Sequence, residues 1–316
     1  DHLWKTCDCA VLSGQTHLAE TLLSRLKYLV NFRTESYDGN GEKYTEILRI
    51  RLQEAKIMEC RGDFNGAIQR SKQLIRHIGD QCSDKVQECL LCDAQILCGS
   101  WMTRYKTQQA REILEQYLNP AATRAKLIFD DENTVANAKR ATQVFIELGH
   151  KLANLHDDLL SRIHSKEWEE TEIRLQHQHQ QCLNSMEHRR ELKREYGKLK
   201  KNSQRKEELH KHITETESHF KRLEKEYNRT QKERTGIKLL LPQYLRQSLK
   251  SFISALQMAG TTSDDLSSHI FRMTSLWFSY QNDVTNDEVA NDVMTEGLRK
   301  IPSFRFVTLT NQLFSR

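Results

Sequence analysis

The stretch from residue 161 to residue 236 limits the possible folds more than any other part of the sequence. Charged residues crowd it, and its few apolar residues recur at helical steps of three and four. In its second half this stripe is formed by Leu209, Ile213, Phe220, Leu223 and Tyr227. So narrow a stripe is typical of the seam of a coiled coil. We therefore predict an arm of two antiparallel helices of about 30 residues each, which reverse near Gly197 and residues 200–204.

The rest of the sequence favours helices as well. Among its 316 residues are only 12 Gly and 3 Pro, and Leu, Glu, Gln, Lys and Arg are abundant. These abundant residues are good helix formers, whereas the residues that punctuate sheets are scarce. The mean hydropathy of -0.72 is low for a globular core and suits an elongated helical structure. We predict an all-α fold.

Residues 1–160 divide into helical hairpins, because turn-forming residues interrupt their apolar periodicity. The first hairpin covers residues 3–32 and turns at Gly14. A later one covers residues 86–118, and Asn119-Pro120 follows its second helix. The pattern predicts a stack of hairpins, in which each hairpin packs on the next.

The hairpin at residues 52–75 is the most informative one. Ala55 and Ala67 allow two helices to approach closely, Gly62 turns the chain, and Phe64 is expected to wedge between the helices. The spacing of these residues resembles that of a tetratricopeptide (TPR) helix-turn-helix, although the pattern does not repeat regularly at the period of about 34 residues. The prediction is a degenerate TPR/HEAT-like helical-repeat solenoid with a long antiparallel coiled-coil arm.

Three segments follow along the chain. Residues 1–160 form TPR-like helical hairpins, residues 161–236 form the charged arm, and residues 237–316 form C-terminal helical repeats. In the last segment we expect Phe271, Leu276 and Trp277 to be buried. Pro302 is suited to the start of a further amphipathic helix. The apolar face of that helix comprises Phe306, Leu309, Leu313 and Phe314. Since nothing follows to cover this face, we expect the sequence to be cut from a longer one.

The sequence contains no recognised set of catalytic or ligand-binding residues. Phosphate-binding glycine loops and nucleophile elbows are absent from the sequence, and "GDFNG" (62–66) is interpreted as a repeat turn. Cys89, Cys92 and Cys98 share one apolar helical pattern, so we interpret them as buried, reduced thiols. The pairs His177/His179, beside Cys182, and His210/His212 are interpreted as solvated histidines, since residues two apart on a helix diverge. We predict no catalytic, cofactor-binding or metal-binding residue.

Two classes of partner are also unfavoured. The basic segment 188–206 could contact phosphates, but acidic residues interrupt it and the net charge is only +5. We therefore expect no direct nucleic-acid binding. No apolar run is long enough to span a membrane, and no signal peptide is visible, so we expect no membrane contact. A TPR-type protein-interaction adaptor unrelated to kinases remains an alternative function.

One segment resembles a known family. Residues 271–316 contain an apolar "FRMTSLW" helix, an acidic spacer and "IPSFRF" before "QL". This succession resembles the carboxy-terminal part of the FAT domain of phosphatidylinositol-3-kinase-related protein kinases (PIKKs). Residues 51–75 and 98–121 resemble helices of the ataxia-telangiectasia-mutated (ATM) branch. The sequence departs from the family at "LGHKLANLHDDL" (148–159), where we expect a different local surface, and more mildly at Val307.

The resemblance implies a function that physical reasoning alone does not. It implies a FAT scaffold in a large nuclear serine/threonine kinase that signals DNA double-strand breaks. The expected partners are the kinase domain of the same chain, a second protomer in a homodimer, and DNA-damage signalling proteins. ATP and Mg²⁺ would bind in the kinase domain, beyond residue 316. Such kinases favour Ser or Thr before Gln, so autophosphorylation is a further hypothesis for Thr107, Thr142, Ser203 and Thr230.

Overall fold

Helices account for nearly all of the structure. The computed structural model describes residues 2–33, 40–79, 84–199, 204–260, 265–278 and 284–307, and no strand occurs among them. The helices are α1 (His2–Leu12), α2 (Thr16–Arg33), α3 (Asn40–Cys60), α4 (Phe64–Gly79), α5 (Lys85–Arg104), α6 (Ala110–Ile113), α7 (Asn119–Asp131), α8 (Val135–Ile163), α9 (Lys166–Lys198), α10 (Gln204–Ala259), α11 (Ser267–Phe278) and α12 (Val284–Leu298). A π-helical turn, Leu114–Leu118, joins α6 to α7, and a 3₁₀ turn covers Ser303–Phe306. The predicted all-α helical-repeat fold is confirmed.

The chain divides into two compact units. One combines Asp1–Ala153 with Arg246–Arg316, and the other is Asn154–Leu245. We call the first the repeat unit and the second the arm. Helices α8 and α10 each contribute residues to both units. Among the described helices, none is both long and apolar enough to cross a membrane.

Successive helices of the repeat unit pack as neighbouring pairs. Gly14 (φ 70°) lies in the turn between α1 and α2, and Gly62 (φ 86°) lies in the turn between α3 and α4. Both positions require the left-handed conformation that glycine adopts without strain. Two apolar clusters fill the space between α1 and α5. The first contains Cys7, Ala10, Ala19, Leu23, Leu26, Ile50 and Ile57, and the second contains Leu48, Leu52, Leu74, Ile78, Leu90, Leu91 and Ala94.

The predicted wedge at Phe64 is wrong. Phe64 is 37% exposed, and its ring stacks on that of Tyr105 with centroids 3.8 Å apart. Phe64 is the first residue of α4, where its side chain lies at the rim of the helix pair rather than between the helices. The methyl group of Met58 lies against Gly66 instead, so that a Cβ atom at Gly66 would collide with it.

Asn119-Pro120 does not end a helix. The amide of Asn119 donates to the carbonyl of Leu114, five residues back, and α7 continues to Asp131. A proline ring normally clashes with the carbonyl four residues before it, and the wider π-helical turn provides room for that ring. The helix therefore passes through a residue that the sequence suggested as its stop.

The arm is an antiparallel helical hairpin. Helix α9 has 33 residues, and the partners of its side chains on α10 run in the opposite direction. The facing pairs are Trp168 with Arg234, His179 with Tyr227, Arg189 with Phe220, and Tyr196 with His210. At the reversal, Lys206 donates to the carbonyl of Leu199. Whether the two helices supercoil as a coiled coil stays a prediction.

Helix α10 is longer than predicted. It runs for 56 residues, through Gly236 and Pro242, whereas the sequence indicated a helix of about 30 residues. After Pro242 its apolar side chains become fully buried, as at Leu245, Leu249 and Phe252. Tertiary burial of this face offsets the cost of an interior proline, which amounts to about 3 kcal/mol.

The segment that follows Pro302 differs from the expected start of a helix. Ser303–Phe306 form a 3₁₀ turn rather than the start of an amphipathic α-helix. Leu309, Leu313 and Phe314, the other residues of the predicted apolar face, lie outside the described residues.

Candidate functional site

The structure describes no group that could hold a metal ion. Among the described residues, no three His, Cys, Asp or Glu side chains converge on a common point. The ring of His179 lies 5.3 Å from that of Tyr227, and the ring of His212 lies 6.3 Å from that of His188. These histidines therefore contact aromatic neighbours across the arm. That the chain holds no catalytic, cofactor-binding or metal-binding residue stays a prediction.

Two of the three cysteines of α5, Cys92 and Cys98, are core thiols, whereas Cys89 is only half-buried, so its predicted burial is wrong. Cys92 and Cys98 are fully buried, and their thiols donate to the carbonyls of Ala121 (3.5 Å) and Ile68 (4.0 Å). Burial raises the pKa of each of these two thiols to about 12. Since the thiolate is the nucleophile and the metal ligand, these protonated thiols are unreactive at neutral pH.

The best-defined candidate site is a packed junction in the repeat unit, formed by α8, the end of α10, α11 and α12. We call it the C-terminal junction. A Cβ atom at Gly149 would lie 3.0–3.1 Å from three ring carbons of Phe252, and the hydroxyl of Ser248 donates to the carbonyl of Gly149 at 2.9 Å. The absence of a side chain at Gly149 thus allows α10 to approach the backbone of α8 directly.

A histidine pair links α8 to α11 in this junction. Nε2 of His150 lies 2.8 Å from Nδ1 of His269, and the rings of His150 and Phe252 are nearly perpendicular, with centroids 5.1 Å apart. A hydrogen bond at this distance requires that one ring donates and the other accepts, so at least one imidazole is neutral. Burial, and then the proximity of His269 and Arg272, lowers the pKa of His150 to about 4. Burial also lowers the pKa of His269, against the opposite influence of Glu147 and Asp265.

We expect the stability of the chain to decrease as the pH falls below about 6.5. The pKa of His150 is about 4 in the folded chain and 6.5 ordinarily, so the unfolded chain binds the proton first. The contribution of neutral His150 to the free energy of unfolding is therefore complete above about pH 6.5 and is lost as the pH falls towards 4. Because solvent screens this partly exposed group, we expect a contribution of about 1–2 kcal/mol. Urea unfolding between these pH values measures it. His150→Phe should reduce the change of unfolding free energy with pH. His17→Gln, at an exposed position, is the control and should leave that change as it is. Equal pH dependence in both variants would contradict the assignment of this effect to His150.

The expected burial of the α11 side chains is partly wrong. Leu276 is buried, but Phe271 and Trp277 are only half-buried. The indole of Trp277 stacks on Phe278, and its Nε1 donates to Oδ1 of Asn291 on α12 at 2.7 Å. A tryptophan that bridges two helices through its polar tip remains partly at the surface. Trp277 therefore works as a link between α11 and α12 more than as a core residue.

Arg305 fixes the segment after α12. Its Nη2 donates to the carbonyl of Gly260 at 3.0 Å, and the side chain is buried. Gly260 follows α10 and has a φ of 47°, a left-handed helix terminus that suits glycine. The neighbouring Ile301 is buried as well. The "IPSFRF" segment is thus held to the end of α10.

The departure at residues 148–159 is partly buried, and a local surface different from that of the family stays a prediction. It contains Gly149 and His150 of the C-terminal junction, and His156 is fully buried. No sequence pattern predicted a role for Gly149, His150, His269 or Arg305. The departure could have indicated Gly149 and His150. It could not have indicated His269 and Arg305, whose contacts join residues 119 and 45 positions apart.

A second buried cluster lies within the arm. The guanidinium of Arg234 lies 3.9 Å from the ring centroid of Trp168, donates to the carbonyl of Trp168 at 2.8 Å and pairs with Glu172. The Arg234 side chain is only 8% exposed. Arginine suits such a site because its planar group can stack and donate at once. In the sequence, Arg234 resembles the many charged residues around it, which are interpreted as solvated.

The Ser/Thr-Gln pairs differ in accessibility. Thr107 is exposed between α5 and α6, and Thr230 lies on α10, where its hydroxyl donates to the carbonyl of Glu226. Thr142 is buried, and its hydroxyl donates to the carbonyl of Ala255 at 3.4 Å. Ser203 lies outside the described residues. Thr107 is therefore the best placed of the described three for modification.

Comparison with known proteins agrees with the sequence resemblance. No family model matches the chain. It is 20% identical over 282 residues to the serine/threonine-protein kinase ATM of Arabidopsis thaliana, an alignment that covers 88% of this chain and 6% of that protein.

Solved structures of similar fold cover 99% of this chain. They are described as the FAT and kinase domain of CtTel1 (TM-score 0.60, 17% identity), the open conformation of CtTel1 (0.60, 17%) and the complete CtTel1 dimer with C2 symmetry (0.58, 16%). This chain corresponds to 18%, 10% and 10% of those chains, respectively. It therefore spans only a small part of the proteins that it matches.

Proposed function

We propose, from the confirmed resemblance of this chain to the FAT domain of ATM-like PIKKs, that it is the helical scaffold of a serine/threonine protein kinase. The observation that carries the proposal is the match of 99% of the chain to a structure described as a FAT and kinase domain. The kinase domain lies in the same polypeptide, and ATP and Mg²⁺ bind there. The scaffold supports that domain and restrains it in an inactive state.

The packing of the C-terminal junction supports a mechanical role. Its helices meet through close backbone approach at Gly149, a histidine pair, and the bond between Trp277 and Asn291. A Cβ atom at Gly297 would also collide with the side chain of Ile253, so α12 lies tightly against α10. Tightly packed elements move together rather than deform, and they therefore transmit displacement to whatever they contact.

The restraint is tested in the natural polypeptide that carries these residues together with a kinase domain. Trp277→Ala should raise the unstimulated kinase activity by about fivefold if it removes about 1 kcal/mol of bias towards the inactive state. Trp277→Phe, which keeps a ring but loses the bond to Asn291, should have a smaller effect. Unchanged kinase activity in a folded Trp277→Ala protein would contradict the proposed restraint. Lower kinase activity would also contradict it, and would indicate that the scaffold only supports the kinase domain.

The proposed biology is DNA double-strand-break signalling by a nuclear homodimer. The likeness to a protein named ATM, and to a structure described as a dimer with C2 symmetry, supports this part of the proposal. DNA-damage signalling proteins are the further partners. Analytical ultracentrifugation of the natural polypeptide tests the dimer, and a monomer at micromolar concentration would exclude it.

If the parent kinase modifies its own scaffold before glutamine, Thr107 should carry the phosphate. Its hydroxyl is exposed in a loop, whereas Thr142 is buried and hydrogen-bonded. Mass spectrometry of the activated polypeptide should detect phosphate at Thr107 and none at Thr142. Thr107→Ala should abolish that signal, and Thr142→Val serves as the matched control. Phosphate at Thr142 without phosphate at Thr107 would contradict the prediction.

A further inference from the structure

One pocket in the repeat unit has no role in the proposed scaffold. It lies between α2, α3 and α4, has a volume of about 400 Å³, and combines apolar and cationic side chains. Val30, Ile47 and Ile50 provide the apolar part of its wall. The remaining charged groups of the wall are Lys27, Arg51, Glu54 and Arg70.

The charges of this pocket are not balanced. Glu54 lies 2.7 Å from Nζ of Lys27 and 3.2 Å from Nη2 of Arg70, so one carboxylate serves two cations. Arg51 has no carboxylate partner among the residues that the structure describes. The side chains of Lys27 and Arg70 are 45% and 42% exposed. Among the described residues of this wall, three cations surround one anion, an excess of two positive charges at an accessible pocket.

This combination of charge and apolar surface limits the ligand. A free phosphate would use the cations but not the apolar wall. A single-stranded nucleic acid requires aromatic rings for stacking, and the described residues of this wall include none. An acidic peptide with a large apolar side chain uses both: its carboxylates pair with the cations, and its apolar side chain covers Ile47 and Ile50. Charge complementarity of this kind governs partner choice and association rate.

We propose that the pocket between α2, α3 and α4 binds an acidic peptide segment through Lys27, Arg51 and Arg70, with an apolar peptide side chain placed against Ile47 and Ile50. Glu54 acts as an internal competitor, because it occupies the cations that the peptide needs. This inference does not depend on the proposed kinase role.

The test uses the full 316-residue chain and a fluorescein-labelled peptide, Gly-Asp-Glu-Leu-Phe-Asp-Glu-Gly, in fluorescence anisotropy titrations at low salt. We expect saturable binding that weakens with added salt. A peptide with Ser-Ser in place of Leu-Phe should bind about tenfold more weakly. A peptide with Lys in place of each acidic residue should not bind.

Variants separate this pocket from the general charge of the protein. Lys27→Glu with Arg70→Glu should weaken binding at least about tenfold. The matched double variant Lys126→Glu with Lys139→Glu, which changes the net charge equally on the exposed surfaces of α7 and α8, should not. Glu54→Gln should strengthen binding about threefold, because it removes the internal competitor. This gain cannot arise from unfolding, so it tests the proposal even if the charge reversals destabilise the chain.

Three results would overturn the proposal. The first is equal weakening by both double variants, and the second is equal affinity for the Leu-Phe and Ser-Ser peptides. The third is binding of an oligothymidine that is lost in the Lys27→Glu, Arg70→Glu variant, since that would assign the pocket to nucleic acid.

Discussion

Phe252→Ala is expected to lower the free energy of unfolding by about 3–5 kcal/mol. The Phe252 side chain is 1% exposed, and its ring lies against Gly149 and at 5.1 Å from the ring centroid of His150. Removing the ring leaves a cavity at the point where α10 meets α8, and the backbone contact at Gly149 prevents collapse around it. Urea unfolding followed by far-UV circular dichroism measures the change.

A double-mutant cycle tests the cause of this loss. Gly149→Ala alone should destabilise the chain by about 1–3 kcal/mol, because the new methyl group meets the Phe252 ring. In a Phe252→Leu background the same change should cost at least about 0.5 kcal/mol less, since the shorter side chain leaves space. Strictly additive effects, or a loss below about 1 kcal/mol for Phe252→Ala, would contradict the described packing.

Arg234→Ala is expected to reduce the stability of the arm by about 3 kcal/mol. The change removes a stacked cation from the Trp168 ring, the bond to the Trp168 carbonyl, and the pair with Glu172. A desolvated cation–π contact contributes up to about 2 kcal/mol, and a hydrogen bond from a charged group about 1.5–3 kcal/mol. Part of this is offset because the partner carboxylate of Glu172 is half-exposed and regains water.

Hydrogen–deuterium exchange of the amides in α9 and in the arm portion of α10 measures this effect locally. Arg234→Lys keeps the charge but loses the planar stacking. Its protection from exchange should therefore lie between that of the native chain and that of the alanine variant. Arg229→Ala is the matched control. Arg229 pairs with Glu233 on the same helix and is 82% exposed. Its replacement should therefore lower the stability of the arm by less than about 0.5 kcal/mol. Equal exchange in Arg234→Ala and Arg229→Ala would contradict the assigned role.

Local rules predicted the features that depend on neighbouring residues. Glycines at 14 and 62 interrupt apolar periodicity, and both lie in turns with positive φ. The narrow stripe from Leu209 to Tyr227 lies on a helix that faces α9 in antiparallel order. These outcomes follow because helix periodicity and the conformational freedom of glycine act over a few residues.

Features that depend on tertiary contacts were not predictable in this way. A proline inside a helix normally interrupts it, yet α10 continues through Pro242 into a part where Leu245 and Leu249 are fully buried. Arg234 has the same sequence environment as the solvated charges around it, and only its position opposite Trp168 makes it a buried group. The partners of His150 and Arg305 are distant in sequence, so no local pattern indicates them.

The most direct test of the proposed scaffold is to sequence the transcript that encodes this chain beyond the codon for Arg316. A FAT-type scaffold predicts that the open reading frame continues into a protein kinase domain, with a nucleotide-binding lobe followed by catalytic and metal-binding loops. A stop codon soon after Arg316, or a continuation that encodes no kinase domain, would contradict the account.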